Sequence, residues 1–370
     1  MAKLAATVVA LPRDAIFDIL SWTPVRSVCR FRCVSKEWLS GISTPAFIAQ
    51  HRSRAGSEPL VVAGYDGKPD GILVMDMKGN VLRTIEGLGT IRNFCSNLDN
   101  FITVRCADST HVIDVTTGKK VLVIPSESDE CYYHTIRLGR AAVSGSYKVV
   151  CIGERRDVHQ NCEVITLRDG AKWKRAQPPP VLVCLPELYG SGSSVDGALY
   201  FLSDSNNVLR FDLESEKWSR TIRAPQEANI DLPTWIGEIP ATKLNDALCM
   251  IQTKVWQTQT GHLYINIWLL MDPHNSIWVK MYTIPMSLRP ADSLCVMPYR
   301  SRLLLYYTSQ TWPADVLRVY DTFAWTSTDV MKLTKHTFGK IGICNLHLDS
   351  FVTPDISNGS LGDTAYSPGP

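Results

Sequence analysis

The chain has 370 residues, 45% of them hydrophobic and 20% charged, with a formal net charge of +2. That balance belongs to a folded protein and excludes a nucleic-acid protein held by bulk charge or a solvated tail. The length exceeds one ordinary compact core, unless the core is that of a barrel or a propeller. Charge is unevenly spread, because residues 1–56 carry eight Lys/Arg against three Asp/Glu, while the remainder carries thirty against thirty-three. A basic head on a slightly acidic body favours an acidic partner for the head.

The extension 1–10 holds one Lys and a short apolar run, with no small-residue cleavage site before Leu11, so it is read as no leader. The head, residues 11–50, reads as three short helices. Pro12 suits the first helical turn, and Ile16, Ile19 and Leu20 recur at helical spacing as one apolar face. Thr23-Pro24 restarts the chain as a cap followed by proline, and Val25, Val28 and Phe31 give the second helix its apolar side. Ser35 caps a third helix carrying Trp38, Leu39 and Ile42, which Thr44-Pro45 ends. About forty residues bury too little surface to stand alone, so the head requires the body or a partner.

After a linker, residues 51–59, the body spans residues 60–352 and reads as strands and turns. An apolar residue followed by Asp and a turn recurs at Met75-Asp76, Ile113-Asp114, Phe211-Asp212, Met271-Asp272 and Tyr320-Asp321, with a degenerate copy at Ile165-Thr166. Successive spacings are 38, 52, 46, 60 and 49 residues, averaging 49. Each Asp can end a strand and bond its own backbone in a tight turn. Trp218 and Trp278 follow at a fixed distance, and each is placed to anchor the next strand against the neighbouring sheet. Repeats near fifty residues built from short strands predict a propeller of roughly six blades. A β-sandwich or two separate β domains is the alternative. The first blade has only about three strands between Leu60 and Ile85, so the segment from Ile341 is expected to complete it and close the ring. Residues 353–370 are rich in Gly, Ser, Asp and Pro and read as a disordered tail.

The head resembles an F-box. Leu11-Pro12, Asp14, Ile19-Leu20, Pro24-Val25, Ser27, the run Arg30-Phe31-Arg32-Cys33-Val34, Lys36, Trp38, Ile42, Pro45 and Phe47 carry the likeness, in the form common in large plant F-box families. Tyr147-Lys148-Val149-Val150, the run Val195 to Leu202, and Phe211-Asp212-Leu213 followed by Trp218 resemble the F-box-associated domain of the same families. Trp22-Thr23 depart from the pattern, which usually places Leu beside the proline. The resemblance implies a mainly β protein with a small N-terminal α module: a three-helix F-box followed by a roughly six-bladed propeller. It further implies the substrate-recognition subunit of a cullin–RING ubiquitin ligase. The F-box would dock a Skp-family adaptor through Leu11, Pro12, Ile16, Leu20, Pro24, Val25, Val28, Phe31, Val34 and Trp38. The propeller would hold an unknown protein substrate. A propeller scaffold or small-molecule receptor acting outside a ligase is the alternative.

Other chemistry is thin. GxSxG, HExxH and phosphate-loop patterns are missing from the sequence, and Gly190 to Ser194 lacks the lysine of a phosphate loop. Cys151, His159 and Cys162 offer only three ligands at a spacing unlike zinc knuckles, so neither metal nor other cofactor is expected. Trp235, Trp256 and Trp312 fall outside the repeat positions and are the candidate substrate-binding residues. Eleven cysteines without a CxxC pair point to a reducing compartment, cytoplasmic or nuclear. The longest apolar run, Leu263 to Met271, is interrupted by Asn266 and falls well short of the roughly 20 residues of a membrane span, so neither membrane nor nucleic acid is an expected partner.

Overall fold

The computed structural model describes residues 11–23, 25–44, 46–47, 50–51, 60–65, 70–125, 131–155, 160–183, 194–203, 207–225, 237–238, 243–244, 247–255, 263–286, 293–299, 302–308, 316–332 and 341–344. The extension 1–10, the tail 353–370 and all but His51 of the expected linker lie outside the described residues. The chain divides into two compact units, a head built on residues 1–57 and a body built on residues 58–346.

In the head, α1 is Arg13–Leu20, α2 Val25–Phe31 and α3 Lys36–Ile42. Pro12 caps α1 from just outside the helix (φ −55°, ψ 144°), and its carbonyl accepts from the Ile16 N–H at 3.1 Å. Pro24 lies outside the described residues. Ser35 caps α3, its hydroxyl accepting from the Trp38 N–H at 3.1 Å. Thr44 does more than end α3. Its hydroxyl accepts from the Phe47 N–H at 3.2 Å, and residues 46–47 and 50–51 are helical again. Thr44 thus ends one helix and caps the next, whereas the Thr23 hydroxyl donates to the Leu20 carbonyl at 2.7 Å.

The body's described strands form six antiparallel sheets. Sheet I orders Ile341–Cys344, Leu60–Tyr65, Gly71–Met75 and Val81–Glu86. Sheet II runs Ile91–Leu98, Phe101–Cys106, Ser109–Asp114 and Lys119–Pro125, and sheet III runs Cys131–Arg140, Tyr147–Arg155, Gln160–Thr166 and Lys174–Ala176. Sheet IV holds Ser194–Val195, Ala198–Leu202, Val208–Asp212 and Lys217–Trp218. Sheet V adds a fifth strand: Gly237–Glu238 and Lys243–Leu244 both pair with Ala247–Val255, followed by Leu263–Asp272 and Ile277–Met286. Those two short pairings occupy the stretch that widens the repeat to 60 residues between Phe211 and Met271. Sheet VI holds Ser293–Tyr299, Arg302–Thr308, Val316–Asp321 and Thr326–Lys332.

Every repeat Asp sits at the end of its sheet's third strand. One carboxylate oxygen accepts from the N–H two residues on, three residues on, or both: Asp114 from Thr116 at 2.8 Å, Asp212 from Ser215 at 2.9 Å, Asp272 from His274 at 2.8 Å, and Asp321 from Phe323 and Ala324 at 2.9 Å. Asp76 accepts from Lys78 and Asn80 at 2.9 Å. The chain then needs one left-handed residue to re-enter the outer strand, and Gly79, Gly118, Glu216, Ser276 and Trp325 supply positive φ. The bonds also act on the acids. The Asn80 amide holds Asp76, and the Asn275 amide Asp272, below the ordinary carboxylate range. The degenerate Thr166 ends the third strand of sheet III at the matching place.

Packing between sheets explains why inner strands are nearly continuous apolar runs while outer strands are mixed. Phe101–Cys106 is buried at all positions but one, whereas Val81–Glu86 is exposed at all but Ile85. Both faces of an inner strand meet a neighbouring sheet. Phe101, Val112 and Ile124 of sheet II pack with Ile136, Leu138 and Val149 of sheet III. Val150 and Val164 of sheet III pack with Leu199 and Phe211 of sheet IV, and Val208 of sheet IV packs with Leu248 and Leu270 of sheet V. Ile251 and Ile267 of sheet V meet Leu303 and Leu305 of sheet VI, and Leu304 and Val319 of sheet VI meet Val61, Ala63 and Met75 of sheet I. The last sheet therefore packs against the first. Leading strands lie side by side as well: Ile341–Cys344 beside Ile91–Leu98, and Ile91–Leu98 beside Cys131–Arg140.

The tryptophans join these interfaces. Trp218 Nε1 donates to the Gln177 carbonyl just past the outer strand of sheet III at 2.8 Å, and Trp278 Nε1 donates to the Arg223 carbonyl just past that of sheet IV, also at 2.8 Å. Each indole latches its sheet to the one before it.

The two ends of the body meet in sheet I. Leu60, Val61, Val62 and Ala63 pair with Cys344, Ile343, Gly342 and Ile341 in antiparallel register. A chain ending at Phe338 loses this strand and leaves the ladder edge of Leu60–Tyr65 open, and it is expected to aggregate. A chain ending at Thr353 keeps the strand and is expected to stay soluble. Equal solubility and equal Tm for the two would overturn the closure.

His111, in the third strand of sheet II, is 5% exposed, with Nε2 2.9 Å from the Ser109 hydroxyl oxygen and no partner at Nδ1. Burial, reinforced by the Lys120 ammonium, pushes its pKa from 6.5 down to about 4. The folded protein therefore keeps the ring neutral where the unfolded chain protonates it. The resulting stability is complete above pH 6.5 and is lost as pH falls toward 4. The Asp76, Asp272 and Asp321 carboxyls titrate below their ordinary 3.8, under most of this window. Chemical denaturation of the wild type and His111→Gln between pH 7 and 4.5 is expected to show a gap that narrows with acid, and parallel curves would refute the assignment.

Candidate functional site

The head is a small core with an apolar outer surface. Leu20, Val28, Ile42 and Phe47 are buried, and Ile16, Phe17, Phe31 and Trp38 pack around them half-buried. Phe31 meets Trp38 edge-on at 5.7 Å between ring centroids, and Phe17 meets Phe47 at 6.0 Å. Gly41 lets α3 approach α1, because a Cβ there would fall 2.0 Å from Phe17 Cζ. His51 Nε2 lies 2.9 Å from the Thr23 carbonyl, and Gln50 Nε2 donates to Asp18 Oδ1 at 3.1 Å, so the last helical residues tie back to the end of α1 and the turn that follows it. The exposed Arg13–Glu37 ion pair at 3.0 Å adds little to stability.

This core sorts the ten predicted adaptor residues. Leu11 and Val34 are each 60% exposed, and Pro12 is exposed. Ile16, Phe31 and Trp38 present one side each. Leu20 and Val28 face inward at 5% and 0% exposure, so on the folded head they support the surface from beneath. Val25 opens α2, and Pro24 lies outside the described residues. Periodicity groups Ile19 with Ile16 and Leu20 on one apolar face, and the structure divides that face, leaving Ile19 54% exposed. Trp22 at 63% and Leu39 at 42% join it as exposed apolar side chains. Trp22 has only its departure from the usual pattern to mark it, and Leu39 is one of the apolar residues that the spacing places on α3 without assigning it a side. Arg30 and Lys36 are exposed on the same small unit, keeping its surface basic.

In the body, the three candidate substrate tryptophans, Trp235, Trp256 and Trp312, lie outside the described residues. Trp173, Trp218 and Trp278 belong to the inter-sheet packing. Cys151 and Cys162 are buried on opposite faces of sheet III, one toward sheet II and the other toward sheet IV, so they cannot share a metal. His159 lies outside the described residues. Among the described residues no group of three or more His, Cys, Asp or Glu side chains could hold a metal ion. No helix among them is long and apolar enough to cross a membrane.

The segments read as resembling an F-box-associated domain have structural work. Lys148, nearly buried, donates through Nζ to the Leu213 carbonyl at 2.6 Å and to Glu216 Oε1 at 2.8 Å, joining sheet III to the Asp212 turn of sheet IV. Lys174 donates to the other Glu216 oxygen at 2.6 Å. Burial alone would raise the Glu216 pKa, but the bonds from Lys148 and Lys174 outweigh it and hold the carboxyl below its ordinary value. Asp196 and Gly197 take φ of 48° and 73° in the tight hairpin that joins the first two strands of sheet IV.

Comparison with known proteins agrees with this division. The F-box domain matches residues 9–49, and the F-box associated beta propeller domain matches residues 74–298. An F-box protein of Arabidopsis thaliana is 25% identical over 307 residues, covering 74% of this chain and 72% of its own length. An F-box/kelch-repeat protein of the same plant is 26% identical over 73% of this chain and 64% of its own. The A. thaliana F-box protein DOR is 22% identical over 73% of each chain. Among solved structures, TolB from Acinetobacter baumannii is similar with a TM-score of 0.48 and 11% identity, over 80% of this chain and 68% of that one. A head matching the F-box and a body whose match alone spans more than half of the chain lead to one assignment: this chain belongs to the F-box associated β-propeller family and carries an F-box at its head.

Proposed function

We propose that this chain is the substrate-recognition subunit of an SCF-type cullin–RING ubiquitin ligase. Its three-helix head docks a Skp-family adaptor, and its body, a closed ring of six blades, holds a target protein. The observation that carries the reading is the head's surface: Leu11, Ile19, Trp22 and Val34 are each more than half exposed on a unit whose apolar core, among the described residues, is four buried side chains. So small a unit gains from covering that surface with a partner. The ring reading is supported by six sheets packing in succession, the sixth against the first, and by the pairing of the two ends in sheet I. Such a receptor performs no chemistry. It raises the effective concentration of substrate lysines near the ubiquitin-conjugating enzyme. A cytoplasmic or nuclear setting goes with this reading.

Adaptor contacts divide by depth. Leu11, Pro12 and Val34 contact the adaptor directly, with Ile19 and Trp22 beside them, while Leu20 and Val28 hold the helices that present them. Deleting residues 1–50 is expected to abolish co-purification with a Skp-family protein and leave the body folded, and retained binding by residues 56–370 would refute the proposal. The double change Leu11→Ala, Pro12→Ala is expected to weaken the complex by about 2 kcal/mol, roughly thirtyfold in Kd, with the head still resistant to limited proteolysis. Leu20→Ala is expected to cost about 2–5 kcal/mol of head stability and to lose protease resistance together with binding. If Leu20→Ala bound weakly on a head as resistant as the wild type, Leu20 would be a direct contact and the division by depth would be wrong.

A further inference from the structure

Arg137 is a buried cation with no anionic partner among the described residues. It lies in the leading strand of sheet III and is 9% exposed. Its Nη1 donates across to the Cys95 carbonyl in the leading strand of sheet II at 3.0 Å, and its Nε has no partner. Among the described residues no carboxylate forms an ion pair with it. The ionisable side chains that act on it supply no counter-ion. Arg105 adds a second positive charge, and burial raises the Cys95 thiol, so sulfur stays neutral at physiological pH and cannot serve as counter-ion. Burial lowers Arg137 as well, to about 10, which leaves it charged at neutral pH.

The surroundings are otherwise arranged to hold this place rigid. The Leu138 N–H donates to the Ser96 hydroxyl at 3.1 Å, and that hydroxyl donates to Thr103 Oγ1, also at 3.1 Å. These bonds pin the two leading strands on either side of the guanidinium. Buried charges are otherwise paired or hydrogen-bonded in full, because a desolvated cation left alone is among the costliest features a fold can carry. The forked donor geometry of arginine matches the oxygens of a carboxylate or phosphate.

We propose that Arg137 is the anchor of a small-anion site at the inner edge between sheets II and III, taking the carboxylate or phosphate group of a small molecule. A group so enclosed favours a compact oxyanion over an acidic side chain of a folded partner. The site is independent of the ligase reading and would stand if the head bound nothing.

The test uses the full chain and two probes, inorganic phosphate and acetate, each titrated against chloride at constant ionic strength. Thermal unfolding and isothermal calorimetry are the readouts. One of the anions is expected to raise Tm saturably beyond chloride and to give a measurable binding isotherm. Arg137→Gln is expected to lose both, and Arg83→Gln, at an exposed arginine of sheet I, to keep both. Arg137→Lys, which retains the charge without the fork, covers the case in which the glutamine variant fails to fold and is expected to bind at least tenfold more weakly. A stronger phosphate response marks a phosphate ester as the ligand class, and a stronger acetate response a carboxylate. Equal responses in wild type and Arg137→Lys, or no saturable response to either anion, would overturn the site.

Discussion

A strand that begins a stacked series of sheets has an open ladder edge unless something pairs with it. Leu60–Tyr65 meets this constraint by pairing with Ile341–Cys344, so the first and last described strands of the body become neighbours in one sheet. Much else follows from that pairing. It gives sheet I its fourth strand and places Val61 and Ala63 where Leu304 and Val319 of the last sheet can cover them. Inner strands can then be apolar on both faces where a neighbouring sheet packs against each. A chain built this way joins residues nearly 280 positions apart in one hydrogen-bonded sheet, so its stability belongs to the whole body rather than to any one repeat.

How much of this was legible depended on the range of the interaction. The Asp turns could be read because each carboxylate bonds N–H groups two to four residues away, a contact fully contained in local sequence. The Trp latches could be guessed from a fixed offset after the Asp, though their acceptors, the Gln177 and Arg223 carbonyls, lie 41 and 55 residues earlier. Side-chain bonds between neighbouring sheets left no trace. Arg137 reaches Cys95 across 42 residues and Lys148 reaches Glu216 across 68, and neither pair has a repeating signature. The fifth strand of sheet V showed only as an over-long spacing.

Within the head the motif was clear and the orientation was not. A helix of eight residues has little more than two turns, so periodicity cannot separate a side chain that enters a four-residue core from one beside it that does not. Ile16, Ile19 and Leu20 satisfy the same spacing rule, yet Leu20 is buried and Ile19 is exposed. Thr44 is a second case, since a Thr-Pro pair can end one helix and cap the next.

The body's first and last described strands share one sheet, and the head carries exposed apolar side chains on a small core. On the proposed reading these are separate jobs: the head would meet a Skp-family adaptor, and the body would hold its structure without it. Hydrogen exchange on the full chain, alone and with a Skp-family adaptor, reads both in one measurement. The account predicts slowed exchange confined to residues 11–42, with the amides of Leu60–Ala63 and Ile341–Cys344 equally protected in both samples. Adaptor-dependent protection in the body sheets, with the head unchanged, would contradict it.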